Sequence, residues 1–495
     1  MTESRNGRLT RLAAWFDTRL GLTYPLLRPA PRYSINPFYW LGALTVVAFL
    51  IQGVTGIIMM LYYIPSPTDA FRSTQYIFES VYLGRFLQTV HLYTAYAMIM
   101  LAFVHMMRGY FVSVHKKPRE IMWVVGMVMG FVTLGFGFTG YLLPWTVVSK
   151  SATDVGIGMI DALPAQFSSL LTFLIVGAGG DATELLRFYD LHVVVLPAVL
   201  LVLLALKMYM LEVHGIAEPA TGPPVETNSN RTVPIFPDVT FYLLGLAAMF
   251  GSAMLLISAI FPLSLPPEYS PQLAAQFTPQ PDWYFLWIYQ VLKISAFEGY
   301  GLPVALALVT LIFVGLLILP FIDRGSSRRI AERPIFVAIG LIFIAELFFL
   351  AYWGLESPGQ IIPTESAALV LGAIALLVGI CSLALYTIIG RRSAPNTPSK
   401  VNVSQTQRSF RTALAFVFLI SGGSIAIGGS LNAIVHVILF GLSTSSLVEL
   451  GFSTGLLGTV AFFTIFFLYR IERAEGSLRR RFDWLERGWS TNESN

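Results

Sequence analysis

The stretch RFYDLHVVVLPAVLLVLLALKMYMLEVHG, residues 187–215, decides what kind of molecule this is. From His192 to Glu212 nearly every residue is apolar, a run long enough to cross a bilayer at ~1.5 Å of rise per residue. Lys207 is the exception. A lysine inside a membrane-spanning helix costs ~2.5–3.5 kcal/mol on insertion scales, so it needs a partner or a task. A histidine, His192, stands fifteen residues before it.

The same apolar pattern recurs along the chain. Of 495 residues, 55% are hydrophobic and only 12% charged, which excludes a soluble domain and predicts an all-α polytopic membrane protein. Spans are expected near 38–62, 84–112, 121–143, 187–212, 240–261, 302–322, 334–354, 367–389, 411–433 and 453–470. The net charge of +4 comes from short basic segments beside the spans and gives no case for nucleic acid. HKKPRE, RGSSRR, RRSAPNTPSK and the arginine-rich tail alternate with loops poor in Lys and Arg. The positive-inside rule then predicts both termini in the cytoplasm, and the expected location is the plasma membrane.

Two polar joints, HGIAEPATGPPVETNSNRTVPIFPD and GRRSAPNTPSKVNVSQTQRSF, divide the sequence. The expected parts are an amphipathic surface segment at 1–33, a four-helix bundle at 34–215 and a second block of about four spans at 216–390. A linker at 391–410 and a two-span extension with a basic tail at 411–495 follow. In the first part Trp15, Phe16 and Leu20 form the apolar side of a helix lying on the membrane, and no apolar run with a small-residue cleavage site suggests a signal peptide. The single cysteine, Cys381, excludes an intrachain disulfide and a CxxCH haem attachment, and is expected to be a small buried hydrophobe.

His91 and His105 lie fourteen residues apart on the second span. At ~100° per residue they return to within ~40° of one face, ~21 Å apart along the axis. His192 and Lys207 on the fourth span return to within ~60°. Side by side, two such helices place a pair of nitrogen donors near each membrane surface, a geometry that suits two stacked haems held axially. Gly42 and Gly56 on the first span, and Gly126 and Gly140 on the third, repeat the fourteen-residue step. A residue without a side chain lets a flat macrocycle approach the backbone.

The motifs NPFYWLGALTVVAFLIQGVTGIIMMLYY, FVHMMRGYF, KKPRE, GFTGYLLPW, DALP, RFYDLH with Pro197, and PDWYFLWIYQVLK follow one another between about residues 33 and 390. In this the chain resembles the cytochrome b subunit of Rieske/cytochrome b complexes, the chloroplast-like form above all, as if that subunit and its companion were fused. The resemblance implies a subunit that oxidises quinol at the outer side. One electron passes to a Rieske iron–sulfur protein, and from it to a cytochrome c or copper-protein acceptor. The other crosses the membrane by two b haems to an inner quinone site, with proton translocation. It implies a homodimer in a larger, lipid-embedded complex. By motif position, His91 and His192 resemble the outer haem ligands, and His105 an inner one. The remaining inner position, histidine in the family, is Lys207. Three readings stay open there: Lys207 coordinates the iron, it pairs with a haem propionate, or the inner haem is missing and an acid neutralises the lysine. Gln88 stands where the family has an arginine for a propionate, with Arg85 a turn away. Trp40 stands where the chloroplast form tethers an extra haem, so no covalent haem is expected.

The resemblance also implies a quinol site at TPQPDWYFLWIYQ. Quinol oxidation releases protons, and a carboxylate beside the hydroxyl supplies the base. That residue is Asp282, where the family usually has Glu. Tyr284 and Trp283 would shape the pocket with Gly156 and Gly158 of SKSATDVGIGMIDALP. Arg108, Lys117, Arg119, Glu212 and His214 gather near the expected inner quinone pocket, His214 as a proton carrier and Arg108 beside the inner haem. His115 is expected to face lipid headgroups, and His436 has no assigned role. Two rival classes remain: a di-haem membrane anchor of a dehydrogenase or reductase, which has no need of PDWY, and a transporter, which does not explain glycines in phase with histidines.

Overall fold

Residue Leu41 opens a helix in which Leu41, Ala48 and Thr55 are buried at seven-residue intervals, while Leu50, Val54, Ile57 and Leu61 form a stripe of exposed apolar side chains. A stripe of this kind has no use for water and faces lipid. The computed structural model of the chain describes residues 29–392, apart from 178, 219–231, 236–238, 298–300, 326 and 329. By backbone contacts the chain forms two units, Met1–Ser393 and Ala394–Asn495. The surface helix expected within 1–28, the two spans expected beyond 411 and His436 lie outside the described residues.

The described elements are almost all helical. After a short strand β1 (Pro29–Pro31) come α1 (Leu41–Met60), α2 (Ala70–Glu79), α3 (Gly84–Phe111), α4 (Glu120–Leu142), α5 (Val147–Asp161), α6 (Ala165–Leu171) and α7 (Asp181–His214). Strand β2 (Thr232–Pro234) pairs antiparallel with β1, Ala30 opposite Val233. Then follow α8 (Thr240–Ile260), α9 (Leu286–Leu292), α10 (Leu302–Leu317), α11 (Pro334–Glu356) and α12 (Thr364–Arg392). Among the described residues seven helices are long and apolar enough to span a membrane: α1, α3, α4, α7, α8, α11 and α12. The protein is a multi-pass membrane protein. The expected span at 302–322 is instead broken: α10 ends at Leu317, and Leu319–Ile322 forms a separate turn. Pro320 explains the break, since it lacks the N–H that would continue the ladder.

In the first block α1 packs on α3, α3 on α4 and α4 on α7. A central cluster of Ala48, Met98 and Leu200, with Phe49, Met129 and Phe136 against it, fills the middle of this bundle. Of the later helices, α8 lies against α1 and α3, α11 against α3 and α9, and α10 against α4. α12 packs on α11, and Cys381 is exposed, not the buried hydrophobe expected.

His115 also departs from expectation. It is wholly buried, not turned to headgroups: its Nε2 lies 2.8 Å from Asp323 Oδ2 and its ring packs edge-on to Trp123. Asp323 further binds Lys116 at 3.2 Å and Arg333. Lys116 Nζ donates to the carbonyls of Gly325 and Ser327, and Arg333 to Ser113 Oγ. This buried polar knot ties the end of α3 to the α10–α11 connection, and each cation needs the carboxylate because burial without a partner is costly.

Candidate functional site

α7 is not a regular helix. Its backbone takes a π-turn over Leu191–Val195, where the Leu196 N–H reaches the carbonyl of Leu191. Pro197 stands two residues beyond it and removes a further backbone donor from the ladder. The turn adds one residue with little added rotation, so the fifteen residues from His192 to Lys207 behave as fourteen regular ones, ~40° off a common face like His91 and His105. The two donor pairs are therefore in phase more closely than the sequence spacing indicates. α7 ends where Gly215 takes a φ of 67°, which a side chain would resist.

Four glycines face four donors. A Cβ on Gly56 would lie 3.4 Å from His91 Cε1, and one on Gly140 2.5 Å from His192 Cε1. At the other level, a Cβ on Gly42 would lie 3.2 Å from His105 Cε1, and one on Gly126 2.9 Å from Lys207 Nζ. Each donor tip occupies space that a larger residue on the neighbouring helix would fill.

The rings of His91 and His192 face each other across the bundle, their centroids 6.3 Å apart at 62°. Two metal–nitrogen bonds of ~2 Å each leave ring centres about this far apart, so the pair fits one iron between them. Threonines orient both rings. Thr55 Oγ1 donates to the Ile51 carbonyl at 2.7 Å and lies 2.8 Å from His91 Nδ1. Thr139 Oγ1 donates to the Gly135 carbonyl at 2.8 Å and lies 3.2 Å from His192 Nδ1. With its proton committed to the backbone, each hydroxyl accepts from Nδ1–H, which leaves the Nε2 lone pair as the free donor. Gln52 Nε2 donates to the His91 carbonyl at 2.6 Å and steadies the same helix. At the other level His105 Nδ1 is buried without a hydrogen-bond partner.

Asp282 sits in the loop before α9, with Oδ1 accepting from the Trp283 N–H at 2.8 Å and Oδ2 sealed from solvent without a partner. Burial pushes its carboxyl up to about 6, against the lowering effect of Tyr96 and the Trp283 N–H. Tyr96, five residues beyond His91 on α3, packs on Trp283 at 6.1 Å and Tyr284 at 6.4 Å between ring centroids. Tyr284 is buried against Gly137 of α4, where a Cβ would lie 2.8 Å from its hydroxyl, and Tyr141 of α4 interacts electrostatically with Asp282 and Tyr284. Asp282, Trp283 and Tyr284, neighbours in the chain, thus meet Tyr96 of α3 and Tyr141 of α4. Tyr96, Tyr141, Thr55 and Thr139 were not singled out from the sequence. A signal did exist for the threonines: each directly precedes a glycine of the His91/His192 level, in VTG and FTG, whereas Leu41 and Val125 precede the other two.

Other expected residues are placed differently. Gly158 is exposed with open space around it, while the space beside Gly156 is taken by Phe138. Arg108 stacks on Tyr39, 4.1 Å from the ring centroid. Arg119 donates to the carbonyl of His214 at 3.0 Å, Glu212 and Lys117 are exposed, and the His214 ring is half-exposed. Arg85 is exposed and donates to the Leu263 carbonyl at 2.7 Å, and Gln88 Oε1 is buried without a partner. Trp40 Nε1 donates to the Ser34 carbonyl at 2.7 Å.

Cytochrome b(N-terminal)/b6/petB matches residues 96–268, and cytochrome b(C-terminal)/b6/petD matches residues 275–374. The chain is 34% identical over 354 residues to the cytochrome bc complex cytochrome b subunit of Chlorobaculum thiosulfatiphilum, covering 70% of this chain and 82% of that protein. It is 40% identical over 191 residues to cytochrome b6 of Heliobacterium mobile, 39% of this chain and 90% of the relative. A solved structure described as hyperthermophilic respiratory Complex III shares the fold, with a TM-score of 0.62 at 24% identity over 76% of this chain and 96% of that one. With both halves of the fold in order and paired donors facing across its first bundle, this chain belongs to the cytochrome b family of bc-type complexes, its N- and C-terminal parts joined in one polypeptide.

Proposed function

We propose that this chain carries out bifurcated quinol oxidation in its complex. One electron goes to a Rieske iron–sulfur partner and the other crosses the membrane to a second quinone site. The observation that carries the reading is the Asp282 carboxyl, its Oδ2 unpartnered, walled by Trp283, Tyr284 and Tyr96, the last on the same helix as His91.

Oxidation of a quinol to a quinone releases two electrons and two protons. Asp282 accepts a hydroxyl proton, and a carboxyl poised about 6 is suited to take it near neutrality and release it. The aromatic wall excludes water, and Gly137 lets the Tyr284 ring close on α4. Thr55 and Thr139 hold His91 and His192 at Nδ1, which leaves the Nε2 lone pair of each to hold a haem iron. Haem b, bound there, supplies one-electron acceptance. The loop charges support an outward-facing Asp282 and inward termini in the plasma membrane. Arg108, Arg119, Glu212 and His214 are candidates for the inner quinone pocket, and Gly158 for the wall of the outer one.

Inhibitor-sensitive quinol oxidation by the purified complex, compared between wild type and Asp282→Asn, tests the reading. A loss of rate with retained haem is expected. A haem-loaded complex that reduces no acceptor from quinol would make it a di-haem anchor instead.

A further inference from the structure

We propose that His105 Nε2 and Lys207 Nζ form a second axial pair, so that the two haem sites of this chain differ in ligand chemistry. This rests on the haem-binding reading above and goes beyond it. One level has two threonine-tethered imidazoles. The other has one untethered imidazole and one primary amine.

Three observations converge on the lysine. First, the π-turn at Leu191–Val195 brings Lys207 into the same phase with His192 that His105 has with His91. Second, Nζ stands to Gly126 as the His192 ring tip stands to Gly140, 2.9 Å against 2.5 Å from the Cβ position. If the His192 tip would hold one haem, Nζ would hold a second from the corresponding place. A propionate leaves the macrocycle at its rim, so an amine placed there is poorly sited to pair with one. Third, among the described residues no carboxylate lies within ion-pair distance of Nζ. An acid held for neutralising the lysine is therefore not what keeps it in the span. An amine lone pair given to iron meets the same need: the ammonium releases one proton to the aqueous phase, one coordinate bond forms, and no oxidant or reductant is required.

His105 completes the contrast. Its Nδ1 is buried without a partner, and no hydroxyl precedes Gly42 or Gly126 to supply one, the neighbours being Leu41 and Val125. A ligand imidazole without a second-shell acceptor is a weaker electron donor, which favours the reduced state of its metal.

The test uses the purified complex: haem b per chain by pyridine haemochrome, with electron paramagnetic resonance and near-infrared magnetic circular dichroism of the oxidised protein. Wild type should hold two haems, one with a bis-imidazole signature and one with an imidazole–amine signature. Lys207→His should convert the second to bis-imidazole. Lys207→Leu should make it five-coordinate and able to bind carbon monoxide, or lose it, while the first signature stays unchanged and reports an intact fold. Two bis-imidazole signatures in wild type, or two six-coordinate haems in Lys207→Leu, overturn the proposal. One haem in wild type, with only the bis-imidazole signature, overturns it and spares the His91/His192 site. No haem at all overturns both.

Discussion

Thr139 Oγ1 lies 3.2 Å from His192 Nδ1 and donates its own proton to the Gly135 carbonyl, so the imidazole is held in one tautomer by the helix it faces. Thr55 does the same for His91. The two rings that face one another are thus each fixed from the neighbouring helix, with Nε2 free on both.

Replacing Thr139 with Val removes the acceptor but keeps the shape. Loss of a second-shell partner of a metal-bound histidine costs ~10-fold or more in metal affinity. The haem of the His91/His192 site should dissociate more readily in detergent and its midpoint potential should rise, because an imidazole that no longer donates from Nδ1 stabilises the oxidised metal less. Redox titration of the separate haem bands checks this. An equal shift at both sites would argue for a general loosening of the bundle.

Gly140→Ala and Gly56→Ala should differ. The new Cβ meets the His192 ring at 2.5 Å in the first and the His91 ring at 3.4 Å in the second, and a ring packed in a bundle yields less than a flexible chain end. Haem content should fall by about one per polypeptide in Gly140→Ala, with Gly56→Ala nearer to wild type. Pyridine haemochrome assays of both variants decide it.

Quinol oxidation should rise with pH through about 6, since the carboxyl of Asp282 accepts a proton only when ionised and burial has raised it to that value. Asp282→Asn should lower the rate by ~10²–10⁴-fold and remove this limb. A pH–rate profile identical in the variant would remove Asp282 from the proton path.

Asp323→Ala leaves His115, Lys116 and Arg333 buried around an empty acceptor. Breaking a buried ion pair costs ~3–5 kcal/mol, so the complex should unfold at markedly lower temperature, followed by thermal scanning in detergent. Lys116→Ala, which leaves Arg333 and His115 on Asp323, should cost less.

Much of this molecule was legible in its residues. Apolar runs long enough to cross a bilayer announce the helices of the first block, and the fourteen-residue steps of His91/His105, Gly42/Gly56 and Gly126/Gly140 announce the faces they share, because an α-helix returns nearly to phase at that interval. PDWY marked the loop that carries Asp282. These are local signals: length, period and motif.

The tertiary structure decided what depends on atoms distant in sequence. Nothing local in HKKPRE shows that His115 is buried on Asp323, over two hundred residues away, so the reading of a headgroup-facing ring failed. The exposure of Cys381 depends on which face of α12 meets α11. Tyr96 and Tyr141 join Asp282 only because α3 and α4 bring them to the same loop. The fifteen-residue step to Lys207 comes into register through a π-turn, a backbone choice that the spacing alone does not reveal. Sequence periodicity determines which face a residue takes. Which neighbour meets that face, and at what distance, is set by packing.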